Sequence, residues 1–334
     1  MGTLTAWNQM TGIKAFRIDN PASVDGSPEA RAEWLKLRRQ GIGGSDIAAL
    51  VGVNPFKSAI DVFLDKTGRG TEIEENEKMK WGKLLEDPVA QEYATVNNYK
   101  VQRCNAILQH TESPVCLANI DRLILKENTG YDTNGILEVK TTSYAPAWEG
   151  GCIPDMYALQ LQWYLGITGL AWGQFATLVQ GQDLIIPPPV SRQLWDHLRL
   201  IAERFWQDNV LKNVPPKPEM STVAKEAMAR LYPDVITETV TLSKETCELA
   251  HQRAELRAIV KKAEEGMAGI DAQVLAEMKE AKSAIGTGFK VTRVCYDKAG
   301  VNMDKLKAEY PEVVSACFKS SRVTYPLFTF AKEK

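Results

Sequence analysis

The chain has 334 residues, 40 of them basic and 42 acidic, and 44% of its side chains are hydrophobic. Charges so nearly balanced exclude a global basic field, so a nucleic-acid partner would have to be held by a local groove. The six cysteines (Cys104, Cys116, Cys152, Cys247, Cys295, Cys317) form no Cys-x-x-Cys pair, which excludes a zinc ribbon or an iron–sulfur cluster and points to reduced thiols in the cytosol.

Residues 1–26 show neither an apolar signal core nor a clear period, and are expected to be an irregular arm. Ser27-Pro28-Glu29 reads as N-cap, first-turn proline and acidic first turn. The helix it opens is expected to run through Trp34 and Leu37 to Arg38-Arg39. Gly41-Ile42-Gly43-Gly44-Ser45-Asp46 breaks that helix and starts another, through Leu50. A charged helix over 75–83, with Met79 and Trp81 on its apolar face, is expected to stop at Asp87-Pro88 and resume over 89–93. Strands are predicted over 101–108, 115–120, 122–126 and 136–141, a helix over 156–165, two more strands over 172–179 and 184–186, and an amphipathic helix over 191–210. No segment is long and apolar enough to span a membrane.

Val214-Pro215-Pro216-Lys217-Pro218 marks the best boundary, because prolines cannot continue the preceding helix. Domains are therefore expected at 27–214 and 219–334. The second carries apolar residues at helical spacing from Ser243 to about Ala284, with Gly266 and Gly269 placed to bend the run. A strand over 289–296, a helix over 304–318 and a strand over 322–330 follow. Trp34, Trp148 and Trp163 read as core, and His110, His197 and His251 as isolated structural residues.

The chemistry concentrates between Asp121 and Lys140. Asn134-Gly135 is a tight-turn signal before the apolar strand Ile136-Leu137-Glu138-Val139-Lys140. Strand side chains alternate, so Glu138 and Lys140 share a face while Val139 points into the core. A hairpin brings Asp121 beside Glu138, where two carboxylates repel unless a cation joins them. Hard oxygen donors with no nearby His or Cys select Mg²⁺ or Mn²⁺ over zinc. Such an ion polarises a phosphoryl oxygen and acidifies its water, with the Val139 carbonyl as a further ligand and Lys140 beside that water, which fits phosphodiester hydrolysis. The bland reading is an exposed Glu–Lys pair, since Glu-x-Lys alone is common. Two further features add weight. Glu86, in Trp81-Gly82-Lys83-Leu84-Leu85-Glu86, could face the site from a helix. Gln160 and Gln162 lie in an apolar helix, where buried amides need partners; two residues apart, they cannot both face the same way.

This ordered series resembles the lambda exonuclease and YqaJ viral recombinase family of the PD-(D/E)xK nuclease superfamily. It comprises Arg39 to Asp46, Trp81-Gly82-Lys83-x-x-Glu86, Asp121, Glu138-Val139-Lys140 and Gln160-x-Gln162, within residues 30 to 210. The resemblance implies an α/β (α+β) fold: a central mixed sheet flanked by helices in a restriction-endonuclease-like nuclease core, here with a C-terminal helical and small β appendage. It implies Asp121, Glu138 and the Val139 carbonyl as metal ligands, Glu86 supporting a second metal, Lys140 on the nucleophilic water and Gln160 lining the site. By motif matching, Arg39, Ser45 and Asn119 fall where lambda exonuclease binds the 5′-phosphate, although the loop before Ser45 is one residue shorter and Asn119 replaces a serine. A glycine-rich loop at a helix start suits phosphate, and Arg31, Lys36, Arg38 and Arg39 on one helix could track a DNA backbone.

The implied activity is a phage-type Mg²⁺-dependent exonuclease acting 5′ to 3′ on linear double-stranded DNA ends, in the cytoplasm of a bacterial host. Its single-stranded product would feed an annealing protein, and a homotrimer follows by resemblance alone. A structure-specific or single-strand endonuclease of the same superfamily and a non-catalytic DNA-binding recombination scaffold stay open as alternatives.

Overall fold

The computed structural model describes residues 5–20, 27–70, 76–297, 300–317, 326 and 328. The chain divides into two units, with the division after Pro233. Among the described residues no helix is long and apolar enough to cross a membrane.

The first unit is built on a six-stranded mixed sheet. Its strands are β2 (Lys100–Arg103), β5 (Arg122–Leu125), β6 (Gly135–Thr142), β7 (Trp172–Val179), β8 (Asp183–Ile185) and β9 (Val190–Ser191). The order is β2-β5-β6-β7-β8, with β9 also pairing with β7, on the same edge as β8 and at the other end of the strand. Strands β6 and β7 run parallel and the other pairs antiparallel. The parallel step needs a crossover, which α6 (Asp155–Thr168) supplies.

Both faces of this sheet are covered. On one, Val89, Ala90 and Tyr93 of α5 (Glu77–Asn97) pack on Ile124, Leu137, Val139 and Ala176. On the other, Leu161, Tyr164 and Leu165 of α6 pack on Leu123, Ile136 and Phe175. The period-two alternation of β6 thus sends Leu137 and Val139 to α5, and Ile136, Glu138 and Lys140 to α6. Trp148 and Trp163 are core, as expected.

A second, antiparallel sheet joins β1 (Ala15–Asp19), β3 (Ala106–His110) and β4 (Leu117–Ala118). The expected N-terminal arm is therefore not irregular over its described part. Residues Ala6–Thr11 form α1, the Asn8 side-chain amide donates to the carbonyls of Ile13 and Ala15, and Ile13 and Ala15 are fully buried. A five-residue strand carrying Arg17 and Asp19 on its outer positions is too short and too polar to announce itself. The predicted strand over 101–108 is two strands, β2 and β3, which belong to different sheets.

Ser27 caps α2 (Pro28–Arg39) by accepting from the Ala30 N–H, as its sequence requires. Helix α3 (Gly44–Leu50) and α4 (Ala59–Lys66) follow. Helix α5 runs unbroken through Pro88. Burial of Val89, Ala90 and Tyr93, and ion pairs at Glu86 and Asp87, hold it on both sides of the proline. Met79 and Trp81 are exposed rather than apolar-face residues of a buried stripe. Helix α7 (Trp195–Phe205) begins later than expected, because Val190 and Ser191 pair with β7.

The proline run at 215–218 does not end the first unit. Beyond it α8 (Thr222–Leu231) returns to α4, burying Ala227 against Ile60 and Leu64 and pairing Arg230 with Asp61. The second unit holds α9 (Lys244–Met278), the hairpin β10 (Ser283–Gly286) and β11 (Phe289–Thr292), and two short helices, α10 (Met303–Glu309) and α11 (Pro311–Cys317). Helix α9 continues through Gly266 and Gly269; each costs about 1 kcal/mol of propensity, which a 35-residue helix absorbs. Of the strand expected over 322–330, all but residues 326 and 328 lie outside the described residues.

Candidate active site

Strand β6 positions the centre of the site. Antiparallel pairing with β5 sets Arg122 opposite Leu137 and so brings Asp121 level with Glu138. The Asp121 carboxylate accepts from the Val139 N–H at 2.9 Å. Glu138 is only 1% exposed. Its Oε2 accepts from Lys140 Nζ at 3.0 Å and from Gln160 Nε2 at 3.1 Å. Its other oxygen, Oε1, is buried and has no hydrogen-bond partner among the described residues.

An orphaned carboxylate oxygen at a buried site is costly unless something positive meets it. The titration behaviour points the same way. Burial and the neighbouring Asp121 charge push the Glu138 carboxyl up to about 8, against the pull of Lys140. Burial also raises Asp121, with Lys140 opposing the rise and Glu86 adding to it. Burial alone would lower the Lys140 amine, but the carboxylates of Glu138 and Asp121 raise it instead. The cluster carries two acids for one internal cation.

Helix α6 cups this cluster with one face. Tyr157, Gln160 and Tyr164 recur at helical spacing, so all three project to the same side. Lys140 Nζ lies 5.1 Å from the centre of the Tyr157 ring, and Gln160 Nε2 also donates to Tyr164 OH at 3.0 Å. Gln162 points elsewhere: its amide donates to the Ser191 carbonyl, and its oxygen accepts from the N–H groups of Gln193 and Leu194. The two glutamines thus divide as their spacing requires, one to the site and one to the turn that leads into α7.

From the opposite face of the sheet comes Arg122, 4% exposed. It donates to Glu86 Oε1 at 2.7 Å, to Asp87 Oδ1 at 3.0 Å and to the Asp121 carbonyl at 2.8 Å. Glu86 is therefore tied to the strand that carries Asp121, and half-exposed. Sequence reasoning missed Arg122, although an arginine at an inward position of an apolar strand is a signal that acceptors are near. Tyr157 and Tyr164 were missed as well; their spacing from Gln160 was the readable clue.

The glycine-rich loop abuts the same region. A Cβ added to Gly44 would stand 2.8 Å from Gln160 Cγ and 2.6 Å from Tyr164 Cε1, so only glycine lets α3 start this close to α6. Ser45 is exposed beside it, and Asn119 is half-buried. Asp46, buried, closes the loop by accepting from the Gly43 N–H at 2.9 Å, and pairs with Lys57 (2.6 Å) and Lys66 (2.8 Å).

Arg39 does not reach this loop through its charge: its Nε donates to Asp65 at 3.2 Å. The neighbouring Arg38 stacks on Trp34 at 4.7 Å, and its Nη2 is 4.0 Å from where a Gly43 Cβ would stand. Successive residues on a helix point about 100° apart, which is why one of the two faces the loop and the other α4.

Among the described residues no three His, Cys, Asp or Glu side chains gather closely enough to hold an ion alone. The donors present still fit a hard divalent cation. Two carboxylates share one site, one oxygen is unbonded, and no soft ligand intrudes.

A mixed sheet with an acid-x-lysine strand at its centre, an aspartate on the adjoining strand and helices on both faces defines the class. The YqaJ-like viral recombinase domain matches residues 33–171. The uncharacterized protein YqaJ of Bacillus subtilis (strain 168) is 32% identical over 295 residues, covering 86% of this chain and 90% of that protein. The chain belongs to this YqaJ-like viral recombinase family. The uncharacterized protein R354 of Acanthamoeba polyphaga mimivirus is 28% identical over 161 residues, 46% of this chain and 29% of its own length. Among solved structures, an alkaline exonuclease from Laribacter hongkongensis overlays 60% of this chain and 99% of its own, with a TM-score of 0.46 and 18% identity.

Proposed function

We propose that this protein is a divalent-metal-dependent deoxyribonuclease of the cytoplasm of a bacterial host, an exonuclease that digests linear duplex ends 5′ to 3′. The 3′ single strands it leaves would serve recombination through an annealing partner. One observation carries this reading: Asp121, Glu138, Lys140 and Gln160 converge on one face of the central sheet, with Glu138 Oε1 buried and unbonded. Membership of a viral recombinase family agrees with it.

In this reading Asp121, Glu138 and the Val139 carbonyl hold Mg²⁺ or Mn²⁺, and Glu86 supports a second ion. Such an ion, when bound, supplies the charge that polarises a phosphoryl oxygen and acidifies a water. Lys140 orients the attacking water and offsets charge on the phosphate. Gln160 fixes Glu138, and Tyr157 holds Lys140 over its ring. Arg122 keeps Glu86 at the rim. The 5′-phosphate meets Ser45 and Asn119, with Arg38 taking the place first given to Arg39.

The test is digestion of end-labelled linear duplex with Mg²⁺, beside a 5′-hydroxyl duplex and a covalently closed circle. We expect release of nucleotides from linear DNA only, absent in Lys140→Ala. Cutting of the closed circle would make the protein an endonuclease; binding without any digestion would make it a scaffold. Activity retained by both Lys140→Ala and Glu138→Ala would remove the assigned site.

A further inference from the structure

Between α3 and α4 the chain turns outward and presents Phe56, 78% exposed, at the tip of a loop. The ring packs on none of the core clusters, so its flat apolar face is open to a ligand. The loop around it is nevertheless held in place. Asn54 accepts from the Phe56 N–H at 2.8 Å, and its amide reaches the Ser45 carbonyl at 3.5 Å. One residue on, Lys57 is fixed to the buried Asp46 at 2.6 Å, and Ser58 and Asp61 cap α4. The ring is thus presented from both sides by fixed groups, at little conformational cost.

Its surroundings are cationic. Arg38 lies close enough to Lys57 to oppose its charge, and Arg39 and Lys66 complete a group of four cations around two acids, Asp46 and Asp65. The loop also joins the catalytic cluster through Ser45 and Gly44, which touches Gln160 and Tyr164. A flat apolar ring beside a surplus of positive charge matches a nucleotide, which offers a base face and a phosphate together.

We propose that Phe56 is a nucleobase-stacking residue, taking an unpaired base at a DNA end while Arg38 meets the adjoining phosphate. The assignment rests on DNA being the substrate. Stacking of a base on an aromatic side chain is tolerant of sequence and adds measurable affinity.

The test uses the full chain carrying Lys140→Ala, so that binding is read without cutting. Fluorescence anisotropy compares two duplexes with a one-nucleotide 5′ overhang, one bearing adenine and the other an abasic sugar at that nucleotide. We expect Phe56→Ala to weaken binding of the adenine duplex about tenfold, the equivalent of about 1.4 kcal/mol, and to leave the abasic duplex unchanged. Phe56→Trp should restore the adenine duplex to its starting affinity. An equal loss on both duplexes, or no loss on either, would overturn the stacking role and leave the ring to a protein partner. If the protein with Phe56 intact binds neither duplex, the DNA reading itself fails, and this one with it.

Discussion

Glu138 is the residue on which charge balance at the site turns. One buried carboxylate, one half-buried carboxylate and one lysine leave a net negative charge at the site, and the Glu138 carboxyl is pushed up to about 8 by burial and by Asp121. Glu138→Gln removes that surplus while keeping the shape and leaving Asp121 and Lys140 as a neutral pair. In divalent-free buffer at pH 8 the variant is expected to melt several degrees above the parent, at roughly 2–4 °C for each kcal/mol recovered in a domain of this size. Mg²⁺ should raise the melting temperature of the parent and not that of the variant, because only the parent has charge to satisfy. A variant that melts lower, or that gains as much from Mg²⁺, would contradict this account. Arg38 and Arg39 offer a second test at the same scale. Arg38→Ala is expected to lose activity selectively on 5′-phosphorylated ends, whereas Arg39→Ala, which breaks a half-exposed pair with Asp65, should affect both ends alike. The sequence pattern identified the Asp121, Glu138 and Lys140 cluster because strand alternation and a hairpin turn are local rules. It could not separate Arg38 from Arg39, since which arginine faces the loop depends on the phase of α2 against its neighbours. Arg122 was hidden for a related reason: its partners Glu86 and Asp87 lie 36 and 35 residues away.

At the scale of elements, the loop between α2 and α3 is held by packing, with Ile42 fully buried and bridged to Cys116, and by charge at Asp46. Burial alone would raise the Asp46 carboxyl, yet the ammonium groups of Lys57 and Lys66 hold it well below the usual carboxylate range. A carboxyl that titrates lower in the folded than in the unfolded chain contributes stability fully above about pH 4, and that stability is lost as pH falls toward the folded value. Asp46→Asn leaves Lys66 buried without its closest acid, at a cost of roughly 3 kcal/mol near neutral pH. Thermal unfolding at pH 7 and pH 2.5 checks the sign: the deficit of the variant should be largest at pH 7 and shrink in acid. A deficit unchanged with pH would mean that Asp46 acts through its hydrogen bond to Gly43 alone. The motif Gly43-Gly44-Ser45-Asp46 was readable as a turn that starts a helix. What Asp46 anchors was not, because Lys57 and Lys66 reach it from the following loop and helix. Similarly, Pro88 argued for a break in α5, and tertiary ties on both sides of it overrode the local rule.

For the whole molecule, the informative boundary is the one after Pro233. Prolines at 215, 216 and 218 were the stronger local signal, but α8 buries Ala227 against α4 and so belongs with the sheet-bearing unit. Between α8 and α9, residues 233–242 form neither helix nor strand and are exposed. A segment of that kind is where a protease gains access before either flanking unit opens. Brief digestion of the native protein is therefore expected to cut within 233–242 and to spare the proline run at 215–218, which lies inside the first unit. The N-terminal fragment should keep Asp121, Glu138, Lys140 and the α3 loop together, and so retain nuclease activity on short linear duplexes. Mass spectrometry of the fragments and an activity assay on the purified piece check both halves. A first cut at 215–218 would restore the proline boundary. Loss of activity in a folded fragment ending near 233 would mean that the sheet-bearing unit is not sufficient by itself.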